Sequence, residues 1–199
     1  MIPVLTGLGL AGAAGWNAWA VLLLFEALVK LMPQEFPGSV TGFLASPIVF
    51  QIALVLFLTE FVVNKIPFLD RFWESAHTLL RPIVGALLAL ACLGDPSALA
   101  RLGVVIGAVV TTLAAHIAKS TTRLTSTAAT RGMTQFLLSL AEDVIAVVLA
   151  ILVFFQPLFS LIFLGGLLVV LLTHRPRVIH ALQVLFFRIQ HPRRRAVKS

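Results

Sequence analysis

Between Thr59 and Pro82 the chain reads TEFVVNKIPFLDRFWESAHTLLRP, and here charges of both signs interrupt a strongly apolar sequence. The segment from His116 to Asp143 does the same. Charged side chains inside or beside a membrane span cost free energy, so they are retained for a reason. We therefore expect these two charged segments to carry the function.

In the first segment, Pro67 predicts a helix break, and a new helix is expected to begin near Phe68. At about 100° per residue, the charged or titratable side chains of that helix fall on one narrow stripe. These are Asp70, Glu74, His77 and Arg81. Such a stripe is expected to face protein, water or a lipid headgroup rather than lipid tails.

The second segment repeats this theme on two predicted helices. His116, Lys119 and Arg123 share a face at the end of the first helix. Glu142 and Asp143 lie about two turns inside the next apolar run, where an unpaired carboxylate is costly. They need partners, and the nearest candidates are Lys119, Arg123 and Arg81.

Composition assigns the chain to the membrane proteins. Of its 199 residues, 59% are hydrophobic and 12% are charged, and the mean hydropathy is +1.03. Soluble domains are about one-quarter charged. The net charge of +7 is better explained by contact with an anionic membrane surface than by nucleic acid, because the basic residues flank hydrophobic stretches. Cys92 is the single cysteine, and no cleavable signal-peptide pattern is found.

The hydrophobic pattern predicts an all-α transmembrane bundle of about six spans. The expected spans are 4–32, 47–63, 78–94, 100–118, 136–156 and 157–173. The first is long for one crossing and contains several glycines. It either tilts or breaks near Gly15-Trp16-Asn17, so broken or re-entrant helices are part of the prediction. Pro157 predicts a tight turn between the last two spans.

Basic residues predict the orientation, because Lys and Arg accumulate on the cytoplasmic side of inner-membrane proteins. In the six-span arrangement, thirteen of the fifteen Lys and Arg residues lie on the side that holds both termini. Only Lys30 and Arg101 lie opposite. The sequence therefore predicts a bacterial inner-membrane protein with both termini in the cytoplasm.

The last residues form a separate element in this prediction, with a membrane domain over 1–175 and a basic tail over 176–199. Apolar residues recur at helical spacing between Val178 and Ile189, and arginines surround them. This pattern favours an amphipathic helix on an anionic lipid surface, and the alternative is a plain extension of the last span.

The sequence also resembles an uncharacterised family of bacterial membrane proteins, domain of unknown function four-one-two-six. The residues that carry the resemblance are Gly15, Asn17, Glu60-Phe61, Lys65-Ile66-Pro67, Asp70, Trp73, His77-Thr78, Arg81-Pro82, Gly85-Ala86, Ala115-His116, Lys119, Thr122-Arg123, Ser139 and Glu142-Asp143. The chain departs from the family pattern at Asn64, where Asp is usual, and in the loop 126–135. The resemblance implies a membrane fold and a shared site, but no activity.

Two specific chemistries receive little support from the sequence. Glu74-x-x-His77 has the spacing of a di-iron bundle ligand pair, but such sites need two copies and two further Glu. We therefore predict no metal and no cofactor. A lipid-modifying enzyme would use His77 or His116 as acid or base, but no nucleophile elbow, zinc-protease motif or phosphate loop is present, so no catalytic residue is predicted.

The prediction that remains is a small transporter or lipid-handling protein for an anionic substrate or headgroup. Substrate binding is assigned to Arg81, Lys119, Arg123, His77 and His116. Charge balance or proton relay is assigned to Glu60, Asp70, Glu74, Glu142 and Asp143. The alternative is a scaffold or partner subunit whose charges only pair with one another. Anionic membrane lipids are the expected partners, and a homo-oligomer or a partner membrane subunit is left open. The Gly7/Ala11/Gly15 spacing favours close helix contact and fits either function.

Overall fold

A computed structural model describes residues 2–63, 67–94, 96–127 and 133–173. Some side chains within these ranges are outside the description: 67–72, 74–75, 121–127, 133–138, 161, 167–168 and 170–172. Every regular element of the described chain is helical, which confirms the all-α prediction. The tail beyond residue 173 lies outside the described residues, so the division at 175/176 stays a prediction.

The described chain forms eight α-helices and one 3-10 turn, Pro33–Glu35. The helices are α1 Ile2–Trp16, α2 Ala18–Leu31, α3 Thr41–Leu44, α4 Pro47–Val63, α5 Pro67–Ala91, α6 Ala98–Thr127, α7 Met133–Phe155 and α8 Leu158–Thr173. The turn at Pro157 is confirmed, whereas residues 64–66, where the predicted break before Pro67 would lie, are outside the described residues, so that break stays a prediction. Pro47 is the first residue of α4. Proline is tolerated at a first helical position because the N–H it lacks has no intrahelical partner there.

Among the described residues, helix length and composition identify one stretch that is long and apolar enough to cross a membrane, Ala98–Ser120 in α6. Three further apolar helical stretches in the described chain are shorter: Ile2–Trp16, Pro47–Val63 and Ala76–Ala91. Six membrane spans are therefore not established by the helices themselves.

The first apolar stretch is broken at Asn17, one of the positions where a break was predicted. Asn17 has an extended backbone, with φ −147° and ψ 102°, and its side-chain oxygen accepts the Ala20 N–H at 3.0 Å. Asparagine is among the residues that cap helix N-termini best, because its oxygen satisfies a backbone donor with no intrahelical partner. The sequence thus ends α1 and starts α2 within a single residue.

Helix α1 runs antiparallel to α5 and parallel to α6. Gly7 packs against Ala89 near the end of α5, whereas the Gly15 carbonyl contacts Arg81, eight residues earlier in that helix. Along α6, Gly107 faces Leu8, and Ala115 faces Gly15. The start of α1 therefore lies at the end of the bundle where α5 ends and α6 begins, which we call the α5–α6 end.

Helix α2 returns to the same end. Its first turn contacts His77 through Trp19, but the segment that follows α2 is back beside the last residues of α5 and α7. Phe36 stacks on Phe154 with ring centroids 5.3 Å apart, and the Gly38 N–H donates to the Ala91 carbonyl at 3.0 Å. Helices α1 and α2 thus form a hairpin whose tip, Gly15–Asn17, lies inside the bundle.

This hairpin differs from the predicted single crossing over 4–32. Helix α1 begins at the α5–α6 end, and α2 ends there. Ile2 therefore lies at the opposite end of the bundle from Thr173, the last residue of α8. Residues 174–199 lie outside the description, so the prediction that both termini share one side stays a prediction, although the described ends, Ile2 and Thr173, do not share one. The arms span 15 and 14 residues, about 22 Å each at 1.5 Å per residue, which is less than a membrane span of about 30 Å requires.

Candidate functional site

The hairpin tip presents carbonyl groups that have lost their helical donors. In a continuous helix the Trp16 carbonyl would accept from the Ala20 N–H, but that donor bonds the Asn17 side chain instead. The Lys119 ammonium donates to the Trp16 carbonyl at 2.7 Å, and Arg81 Nη1 contacts the Gly15 carbonyl at 3.4 Å. Cations are favoured here because the C-terminal end of a helix is partly negative.

Glu60 supplies the carboxylate between these two cations. It is the one acidic residue of α4, and it is fully buried. Its Oε1 lies 2.9 Å from Arg81 Nη2 and 3.8 Å from Lys119 Nζ. Its Oε2 lies 3.8 Å from His77 Nε2 and has no hydrogen-bond partner in the described part of the chain. One carboxylate therefore joins α4, α5 and α6 beneath the tip.

Helix α7 adds two further carboxylates. Glu142 pairs with Lys119 at 3.3 Å, which confirms one of the pairings expected from the sequence. Asp143 accepts from the Asn17 side-chain amide at 2.7 Å, next to the N-terminus of α2. A carboxylate is stabilised at that position because the N-terminal end of a helix is partly positive.

His77 is held in one tautomer by its neighbours. The Trp19 indole donates to His77 Nε2 at 2.6 Å, so Nε2 carries no proton. Nδ1 lies 2.9 Å from the Trp73 carbonyl, which only accepts, so Nδ1 is the protonated nitrogen. The Trp73 ring also packs on the imidazole, with centroids 4.6 Å apart. His77 is thus neutral, and its Nε2 faces the free oxygen of Glu60.

His116 is neutral as well, but its surroundings differ. Arg81 Nη1 donates to His116 Nδ1 at 2.6 Å, and His116 Nε2 lies 3.0 Å from the Thr78 hydroxyl. Because the guanidinium only donates, Nδ1 is the acceptor and Nε2 carries the proton. Protonating His116 would set a second cation against Arg81, whereas protonating His77 would place a cation beside Glu60.

We call these seven side chains the charge cluster: Glu60, His77, Arg81, His116, Lys119, Glu142 and Asp143. Each is nine-tenths or more buried. With both histidines neutral, the cluster contains two cations and three carboxylates, a formal charge of −1.

The structure brings together seven of the ten predicted site residues. The other three belong to described helices, but their side chains lie outside the description: Asp70, Glu74 and Arg123. Their predicted roles stay predictions. Within the described residues, no group of three or more His, Cys, Asp and Glu side chains has the arrangement of a metal site.

Two buried side chains of α2, Trp19 and Glu26, were not predicted as part of the site. Trp19 was not among the predicted site residues, yet it is 5% exposed and bonds His77. Its position two residues after the predicted break was the available signal. Glu26, in the middle of α2, was not singled out, yet it is 2% exposed. The sequence feature that could have identified Glu26 is that it is a carboxylate within the first apolar stretch.

The small residues Gly7, Ala11 and Gly15 of α1 contact other helices of the same chain. A Cβ built on Gly15 lies 2.5 Å from the Thr112 carbonyl oxygen and 2.6 Å from Ala115 Cβ, so only glycine permits this approach of α1 to α6. Thr112 adds a hydrogen bond to the Ala11 carbonyl at 2.8 Å. Close helix contact, predicted from the spacing, therefore holds the hairpin in its own bundle.

Comparison with known proteins gives one family. Residues 4–177 match the family described as Domain of unknown function (DUF4126). No curated protein and no solved structure shows significant similarity to the chain.

Proposed function

The chain belongs to the family described as Domain of unknown function (DUF4126), and we propose that it is a membrane transporter or lipid-handling protein for an anionic substrate or headgroup. The charge cluster is the proposed site. The observation that carries this proposal is the position of Glu60. Its carboxylate lies within 4 Å of two buried cations, Arg81 and Lys119, directly beneath the break between α1 and α2. A carboxylate there stands where an anionic ligand would bind.

The outer surface of the bundle supports placement in a membrane. Large apolar side chains are exposed along the long helices, as at Leu58 on α4, Ile106 on α6 and Ile162 on α8, while the side chains of the charge cluster are buried. Exposed apolar surface of this extent is stable with lipid as the outer solvent. We propose that α4–α8 cross the inner membrane and that the hairpin enters it from one side.

The basic residues set the proposed orientation. Thirteen of fifteen lie on the side of the α4–α5 connection and the tail, which we assign to the cytoplasm. The hairpin does not change this count, because no Lys or Arg precedes Lys30. The N-terminus is then periplasmic and the tail cytoplasmic. For the tail over 176–199 we propose an anionic lipid surface as partner.

A helix break at membrane depth favours transport over a purely structural role. Non-helical backbone is tolerated in a membrane only where protein or a water-filled cavity surrounds it. Transporters use such breaks to direct helix ends at ions and substrates. Here the carbonyl end of α1 meets Arg81 and Lys119, and the N-terminal end of α2 meets Asp143.

We propose that transport proceeds by replacement of the Glu60 carboxylate with an anionic group of the substrate. A proton on Glu60 removes its charge and weakens its hold on Arg81 and Lys119, and an anionic group then takes its place. The cluster charge goes from −1 to zero with the proton and returns to −1 with a monovalent anion. Proton and anion therefore move together, with little charge left uncompensated in the low-dielectric interior.

His77 is the group through which the proton reaches Glu60. Its Nε2 is 3.8 Å from Glu60 Oε2 and 2.6 Å from the Trp19 indole. A proton on Nε2 breaks the bond to Trp19 and makes a charged hydrogen bond to Oε2 available. Trp19 belongs to the first turn of α2. Proton binding by His77 therefore removes a hydrogen bond that fixes this arm of the hairpin to α5.

A scaffold is the second candidate, and one observation favours it. Both buried cations have carboxylates within 4 Å, so the described charges already satisfy one another. An ion-pair network of this kind would hold four helices together without binding a ligand.

Thermal unfolding with and without added anion separates the two candidates. We expect inorganic phosphate, or phosphatidylglycerol in place of phosphatidylcholine, to stabilise the wild type. Glu60→Gln should increase phosphate affinity about tenfold, or about 1.4 kcal/mol, because it removes the charge of the carboxylate that Arg81 and Lys119 share. Arg81→Gln should abolish the effect, and Glu60→Gln with Arg81→Gln should not regain it. Restored stability in the double variant, with no anion effect in any variant, would support the scaffold.

A further inference from the structure

Glu26 is a buried carboxylate that lies outside the charge cluster. It is 2% exposed, and its Oε1 has no hydrogen-bond partner in the described chain. None of the described cations lies within ion-pair distance of it. The charged residues that follow are exposed: Lys30 one turn later, and Glu35 in the 3-10 turn. An ionised carboxylate buried without a partner costs several kcal/mol.

Position connects Glu26 to the cluster. It follows Trp19 by seven residues, so both lie on one face of α2, about 10 Å apart along the helix. Trp19 bonds His77, and the arm then leads toward the α5–α6 end. The other elements packed against α2 place their titratable groups at the tip: Glu60 on α4, His77 and Arg81 on α5, Glu142 and Asp143 on α7.

We infer that Glu26 is a second proton-binding site, which holds a proton in the hairpin arm between the α5–α6 end and the Trp19–His77 pair. Ionisable residues within membrane segments are functional candidates by default, and a neutral acid is the form that an unpaired buried carboxyl adopts. Its use as a station for protons moving to the cluster rests on the function proposed above. Its protonation does not.

Infrared spectroscopy of the full chain tests this inference without a substrate. The protein is labelled with ¹³C-glutamate and placed in phosphatidylcholine nanodiscs near neutral pH. We expect the carbonyl band of a protonated carboxylic acid, its loss in Glu26→Gln, and a shift of the band when the buffer is exchanged for D₂O. The matched control is Glu35→Gln, an exposed neutralisation that should remove no acid band.

Two results would overturn the inference. An acid band that is absent from the wild type, or unchanged in Glu26→Gln, would show that Glu26 is ionised. A band that is lost in Glu26→Gln but does not shift in D₂O would show a permanently isolated proton. A failure of phosphate binding would leave this assay unaffected, so the proposed function can fail while the proton site stands.

Discussion

At its tip the hairpin meets two cations and three carboxylates, whereas at its base it packs through phenylalanine rings. Phe25 and Phe36 have centroids 4.8 Å apart, and Phe36 stacks on Phe154. Apolar packing is non-directional and adapts to changes of shape. A buried ion pair depends on both partners and on their geometry. The base therefore positions the hairpin, and the tip is where substitution should alter chemistry.

The largest expected effect is at the tip. Glu60→Ala leaves two buried cations without their shared carboxylate and should lower the free energy of unfolding by about 3–5 kcal/mol. Gln51→Ala is the control, because Gln51 lies on the exposed face of the same helix. Chemical denaturation in detergent measures both. Equal, small losses would mean that the cluster is hydrated and does not hold the hairpin.

The base should respond to size rather than to chemistry. Phe36 is 3% exposed, so Phe36→Ala should cost about 3 kcal/mol of unfolding free energy through the cavity it creates. Phe36→Leu keeps most of the volume and should cost less than about 1.5 kcal/mol. The same denaturation assay applies. Equal losses in the two variants would contradict adaptable packing at the base.

A smaller effect is expected where α1 approaches α6. Gly15→Ala sets a new methyl group against the Thr112 carbonyl and should destabilise the fold by about 1–3 kcal/mol. A Cβ at Gly103, also helical, would have no neighbour within 4 Å, so Gly103→Ala is the matched control. If both substitutions stabilise the protein, the close approach at the tip is not required.

Helix positions and the gathering of the charges could be predicted from the sequence. The span 47–63 coincides with α4, and the need of Glu142 for a cation led to Lys119. These predictions worked because periodicity and the cost of unpaired buried charge act locally or within one pair. The break at Asn17 was also predictable, since glycine and asparagine meet there within an apolar stretch.

The return direction of α2 could not be predicted from the same signals. No Lys or Arg precedes Lys30, so a crossing and a hairpin give the same distribution of basic residues between the two sides. The direction is set by tertiary contacts, such as Gly38 with Ala91. Glu26 was missed because, with Lys30 one turn later, it has the spacing of a solvated ion pair.

The central claim is that α1 and α2 form a hairpin rather than a single crossing. It is tested most directly by measuring from which side of the membrane a labelling reagent reaches each end of the hairpin. In a Cys92→Ala background, single cysteines are placed at Ile2, Ser39 and Ser199 and labelled with an impermeant maleimide in spheroplasts. Ile2 and Ser39 are both exposed. A hairpin with the charge cluster at its tip predicts labelling of Ile2 and Ser39 from the outside and of Ser199 only after lysis. Labelling of Ile2 together with Ser199, and opposite to Ser39, would contradict it.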